Sequence, residues 1–213
     1  MNMSEIKLIS FDFDLTLTKH ESAMVHFSHQ HNVVDQVKQL EREFIAGRIT
    51  THQFADASAV FFKDLSHDDI AAKMDDLVLI DDCLEVIEHI KSTGIQVIIC
   101  SVGYRALIKP IAKKLNVEVF SGVDLAEQNQ IYSGELTGYF SEYNKITFVQ
   151  KYALENDIEL EQVMAVGDSA TDVPLFNVVG KAVAFNANEL AKKHAHHIVD
   201  GQSLKCLLPF IGL

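Results

Sequence analysis

Four short, predominantly apolar runs, Ile6 to Phe11, Ile95 to Cys100, Val163 to Val166 and Ala182 to Phe185, constrain this chain more than any other feature. Runs of this kind are the pattern of strands covered on both faces, as in a parallel sheet. Between them the hydrophobic period becomes helical. Cys83, Ile87 and Ile90 share one face of a helix that Thr93-Gly94 would end, and Ile146, Val149 and Ala153 mark another from about Glu142 to Asn156. Alternation of strand and helix predicts an α/β fold with a Rossmann-like, doubly wound parallel sheet. Residues 18–79 break the alternation: Phe44, Ile45, Phe54, Val60 and Phe61 fall on successive helical patterns with no buried strand. This segment reads as an inserted helical cap, which divides the chain into a core domain of residues 1–17 and 80–213 and a cap domain of residues 18–79. A second interruption, Gln130 to Tyr139, carries turn glycines between β-prone residues and predicts a hairpin. Pro110 falls inside the helix expected after Ser101, so that helix is expected to start late or to bend.

Composition narrows the function. The formal net charge of -12 disfavours a nucleic-acid partner and leaves a small ligand as the expectation. No apolar stretch approaches the roughly 20 residues needed to cross a bilayer. Glu5 and Asp12 interrupt the first apolar stretch, which lacks a secretory layout, so no membrane association and a cytoplasmic location are expected. The three cysteines, Cys83, Cys100 and Cys206, form no close pair, which predicts neither a disulfide framework nor a zinc site. Cys100 is expected in the core. Six of the ten histidines lie between His20 and His67 at loose spacing and are expected at the surface.

The apolar runs end in polar residues suited to chemistry. Asp12-Phe13-Asp14-Leu15-Thr16 follows the first run, Ser101 the second, and Gly167-Asp168-Ser169-Ala170-Thr171-Asp172 the third; Lys145 opens the helix from Glu142. Ligands of open α/β sheets bind at the carboxyl ends of the strands, so two acidic strand ends are placed to meet at one cation. Each residue has an ordinary alternative. Asp12, Asp14 and Ser101 would serve as loop or capping residues, Asp168 and Asp172 as caps of a helix from Val173 to Val178, and Lys145 as a solvated helix charge.

In that order, Asp12-x-Asp14-x-Thr16, Ser101, Lys145 and Gly167-Asp168-x-x-x-Asp172 resemble the four motifs of the haloacid dehalogenase superfamily of phosphohydrolases. The resemblance implies a Mg²⁺-dependent phosphomonoester hydrolase working through an aspartyl-phosphate. Asp12 would be the nucleophile and Asp14 the general acid and base, a role that needs a raised pKa. Ser101 and Lys145 would hold the phosphoryl oxygens. Asp12, the backbone carbonyl of Asp14 and Asp168 would ligate Mg²⁺, with Asp172 nearby to orient ligands or Lys145. A dehalogenase would have no need of Asp14. A phosphoacceptor or binding module without turnover is the alternative from a different class.

Within the superfamily the chain is most similar to the phosphoserine phosphatases, through Phe11-Asp12-Phe13-Asp14, Thr16-Leu17, Glu21, Lys63-Asp64-Leu65 and Ala165-Val166-Gly167-Asp168. That similarity implies that Glu21 contacts a substrate amino group and that the partner is a small phosphorylated metabolite. O-phosphoserine is the first choice and another small amine-bearing or sugar phosphate the alternative. Ser58 stands where those enzymes carry the arginine that pairs with the substrate carboxylate, and a serine cannot supply a bidentate ionic contact. Val102 replaces a glycine after Ser101, and Thr171 an asparagine before Asp172. Arg105 would be a substitute substrate contact; its ordinary reading is an exposed helix charge.

Overall fold

The computed structural model describes residues 5–213; residues 1–4 of the expected core lie outside the described residues. Its strands are β1 (Leu8–Phe11), β2 (Gln96–Ile99), β3 (Leu125–Gln128), β4 (Ile131–Leu136), β5 (Val163–Gly167), β6 (Lys181–Phe185) and β7 (His197–Val199). Five form a parallel sheet in the order β2-β1-β5-β6-β7, and β3 and β4 form a hairpin. The helices after the insertion are given below with the faces they cover.

Side chains alternate across each strand, and the core divides accordingly. Ile9, Phe11, Val97, Ile99, Met164, Val166, Val183 and Phe185 enter one apolar cluster, while Leu8, Ile98, Cys100, Val163, Ala165, Ala182 and Ala184 enter the other. Both faces are therefore covered, as the absence of polar alternation in the runs requires.

Residues 18–79 hold α1 (Ala23–Gln30), α2 (Val34–Ile45), α3 (Thr51–Ser58), a 3-10 turn (Ala59–Phe62) and α4 (His67–Lys73). Helix starts follow the capping residues: Ser22 accepts from the Val25 N–H, and Thr50 and Ser66 form capping boxes with Gln53 and Asp69. The segment leaves and rejoins the core at one point, where the Lys19 N–H donates to Val78 O at 3.0 Å and the Ile80 N–H to Leu17 O at 2.9 Å. Phe62 stacks on Phe27 at 4.8 Å and packs against Tyr104 at 4.6 Å, joining the helices to the loop after β2.

α5 (Cys83–Ser92) and α6 (Arg105–Lys114) contribute to the first cluster and α7 (Glu142–Glu155) to the second. Of the two outcomes expected of Pro110, the late start is not seen: α6 begins at Arg105 and continues past the proline. The proline costs it one N–H, the partner of the Ala106 carbonyl. The helix expected to reach Val178 is short, α8 (Val173–Phe176), and is followed by α9 (Glu189–His194) and α10 (Leu208–Ile211).

The hairpin begins earlier than its glycines indicate, because Leu125-Ala126-Glu127-Gln128 carries no strand pattern of its own. Asn129 and Gln130 both take positive φ, 53° and 64°, the two-residue turn that matches strand twist. The hairpin pairs with the insertion: the Asp64 N–H donates to Tyr132 O and the Tyr132 N–H to Leu65 O, both at 2.9 Å. No described helix is long and apolar enough to cross a membrane.

Candidate active site

Register brings the polar strand ends together. Phe11 lies opposite Ile99 on one side and Val166 on the other, so β2, β1 and β5 finish level. The ladder continues one step beyond: the Asp12 N–H donates to Val166 O at 2.8 Å and the Cys100 N–H to Phe11 O at 2.7 Å. Asp12, Ser101 and Asp168 therefore stand side by side at the edge of a cavity of about 740 Å³. One carboxylate oxygen from each of Asp12, Asp168 and Asp172 lies within 4.8 Å of the others.

Lys145, in the first turn of α7, is fully buried beneath this group. Its Nζ donates to Asp12 Oδ1 at 2.8 Å and Asp172 Oδ1 at 2.6 Å. Burial alone would lower the ammonium's pKa; Asp12 and Asp172 outweigh it and hold the pKa above the ordinary lysine value. The second oxygen of Asp172 accepts the N–H groups of Asp168 (3.0 Å) and Ser169 (3.1 Å). Asp172 thus does both things its sequence position allows, tying the loop and pairing with Lys145. Gly167 makes room for it, since a Cβ there would stand 2.2 Å from Asp172 Cγ.

One ammonium does not neutralise these acids. Burial first, then Asp172, pushes the Asp12 carboxyl up to about 7, against the pull of Lys145. Burial, Asp12 and Asp172 push Asp168 up to about 9. Uncompensated negative charge on hard oxygen donors is the environment that a divalent ion such as Mg²⁺ fits.

Asp14 Oδ1 accepts the Ala23 N–H at 2.6 Å, which ties it to the start of α1. Burial raises its pKa, while that hydrogen bond and Lys145 oppose the rise. Its other oxygen would stand 3.1 Å from a Cβ at position 103, so Gly103 permits the close approach of the β2 loop. Ser101 lines the cavity, and its Oγ accepts the Gly103 N–H at 3.1 Å. Ser121, which the sequence did not single out, clamps the Ser101 peptide: its Oγ accepts the Ser101 N–H and donates to Ser101 O, each at 3.0 Å.

The remaining expected contacts separate. Glu21 lines the cavity, with Oε1 3.3 Å from His26 Nδ1 and Oε2 3.4 Å from His29 Nε2. His26 is buried rather than on the surface, because its other nitrogen reaches Asp76 at 3.0 Å and both ring nitrogens are thus partnered. Ser58 does not line the cavity; its hydroxyl lies 2.9 Å from Tyr104 OH and donates to Phe54 O at 2.7 Å. Arg105 lines a separate depression of about 290 Å³, 3.5 Å from Asp124 and with its guanidinium over Phe120. The thiol of Cys100 is buried, and burial pushes it up to about 12. Lys38 and Glu41 of α2 also line the cavity; their spacing on a charged helix offered no sign of it.

A Rossmann-like parallel sheet thus carries paired acids and a buried lysine at its carboxyl edge. The chain belongs to the haloacid dehalogenase-like hydrolases, whose family model matches residues 9–177. It is 29% identical over 207 residues to a phosphoserine phosphatase of Campylobacter jejuni subsp. doylei, covering 97% of this chain and 100% of the relative. It is 28% identical to that of Methanocaldococcus jannaschii, over 96% of this chain and 97% of the relative. A solved phospho-aspartyl intermediate analogue of a phosphoserine phosphatase superposes with a TM-score of 0.84 at 26% identity, covering 98% of this chain and 100% of the other.

Proposed function

We propose that this protein hydrolyses a small phosphate monoester through an aspartyl-phosphate on Asp12, with residues 18–79 serving as a cap that shields the site from bulk water. The observation that carries the reading is the meeting of Asp12, Asp168 and Asp172 over the buried Lys145 at the floor of a cavity. Mg²⁺ would be held by Asp12, the Asp14 carbonyl and Asp168; when bound, it shares the negative charge of the phosphoryl oxygens that otherwise repels a nucleophile. Asp12 attacks phosphorus in line, and Lys145 favours its ionised form and orients it. Asp14, whose raised pKa favours the protonated form, gives a proton to the departing alkoxide and then takes one from the water that opens the acyl phosphate. Ser101, fixed by Ser121 and Gly103, presents its hydroxyl to a phosphoryl oxygen. Asp172 acts through Lys145 and the Asp168 loop.

The relatives named above make O-phosphoserine the first ester to assay. The general test is phosphate release from p-nitrophenyl phosphate with and without Mg²⁺. Turnover that requires the ion supports the reading. A stable phosphorylated protein without turnover would instead mark a phosphoacceptor module.

A further inference from the structure

The part of the cavity wall formed by residues 18–79 has a chemistry of its own. Its carboxylates are Glu21, just before α1, and Glu41 on α2. Glu41 accepts a hydrogen bond from Ser22 Oγ. Burial raises its pKa, and the nearby charges of Asp14 and Glu21 push in the same direction. Lys38, the one ammonium that lines the cavity among the described residues, sits a turn away and partly offsets this. Apolar side chains, among them Met24, Phe44, Phe54 and Leu107, line the space between.

No arginine reaches this wall. Arg48 is engaged with Glu43, its Nη2 2.9 Å from Oε1; Arg105 faces Asp124; Arg42 is exposed and does not line the cavity. Ser58, which stands at the arginine position of the similar phosphatases, is turned into the contact with Tyr104. A substrate carboxylate would therefore meet Glu21, Glu41 and Asp14, with only Lys38 and the imidazole of His20 to receive it. A cationic nitrogen would relieve the mutual repulsion of the same three acids, and a largely apolar cleft with an excess of negative charge strengthens that attraction.

We propose that the group esterified to phosphate is an amine without a carboxylate, an amino-alcohol phosphate, whose nitrogen is received by Glu21 and Glu41 among the apolar side chains of the wall. The proposal rests on the hydrolase reading above and chooses among its substrates. It makes Glu41 a specificity residue and leaves the aspartyl-phosphate chemistry unchanged.

Binding can be measured without turnover. 3-Aminopropylphosphonate and 2-amino-4-phosphonobutanoate are non-hydrolysable and differ by one carboxylate; each is titrated calorimetrically into the Mg²⁺-loaded protein. The amine alone is expected to bind at least tenfold tighter, about 1.4 kcal/mol. In Glu41→Gln that advantage should shrink several-fold. Equal or tighter binding of the carboxylate-bearing compound overturns the proposal, and so does an advantage that Glu41→Gln leaves intact. Steady-state assays then separate the two readings. If p-nitrophenyl phosphate and O-phosphoserine are both turned over, with O-phosphoserine preferred to O-phosphoethanolamine in kcat/KM, the hydrolase stands and the substrate class falls. Failure to hydrolyse any of the three, with the phosphonate preference present, removes the hydrolase reading and leaves the amine-binding wall.

Discussion

The floor and the wall built by residues 18–79 line the same cavity, yet they are held in different ways. On the floor, Asp12, Ser101 and Asp168 continue three neighbouring strands, so backbone hydrogen bonds set their spacing, and Lys145 locks two of the acids from below. On the wall, Glu21 and Glu41 come from a loop and a helix outside the parallel sheet, and their partners are other side chains of the insertion. Positions set by a ladder are fixed to a fraction of an ångström. Positions set by helix docking change with each repacking, which is why one reaction can serve many substrates.

The sharpest test of the floor is Asp12→Asn. It should keep the circular dichroism of the wild type and lower kcat by about three orders of magnitude or more; substantial residual hydrolysis would move the nucleophile elsewhere. Next is Lys145→Met, which leaves Asp12 and Asp172 buried without a cation and should cost about 3–5 kcal/mol in urea unfolding. A loss below about 1 kcal/mol would show that the acids do not depend on the ammonium.

A smaller effect concerns charge. Asp12 and Asp168 hold protons in the folded protein at pH values where the unfolded chain has released them. Their folded pKa values are raised, so in EDTA stability should fall as pH rises from about 4 to about 9. Mg²⁺ should flatten that slope and raise Tm at the alkaline end. A metal-free protein that gains stability across this range would contradict the crowding of acids on the floor. The smallest change belongs behind the wall: Ser58→Ala should cost about 1 kcal/mol through the lost Phe54 contact, with kcat/KM for every ester within a factor of about two. A large, substrate-dependent loss would place Ser58 in the site after all.

The strands of the main sheet were legible because burial on both faces writes continuous apolar runs, and α5 and α7 because their apolar residues recur on one side. The acids of the floor were legible because each follows such a run. The short β7 was not, since His197-Ile198-Val199 is too brief for a period, nor was the start of the hairpin, whose first strand is shaped by its partner and by the insertion. His26 read as a surface residue because nothing nearby in the chain reveals that Glu21 and Asp76 meet around it.

By itself the sequence determined the alternation of strand and helix and the polar residue types at the strand ends with their order, because those are local patterns of period and of strand termination. Only the tertiary structure decided that Ser58 and Arg105 turn away from the cavity while Lys38 and Glu41 face it. The physical reason is that the direction of a side chain on an inserted helix depends on how the helix docks, and docking is the sum of many weak contacts distant in sequence.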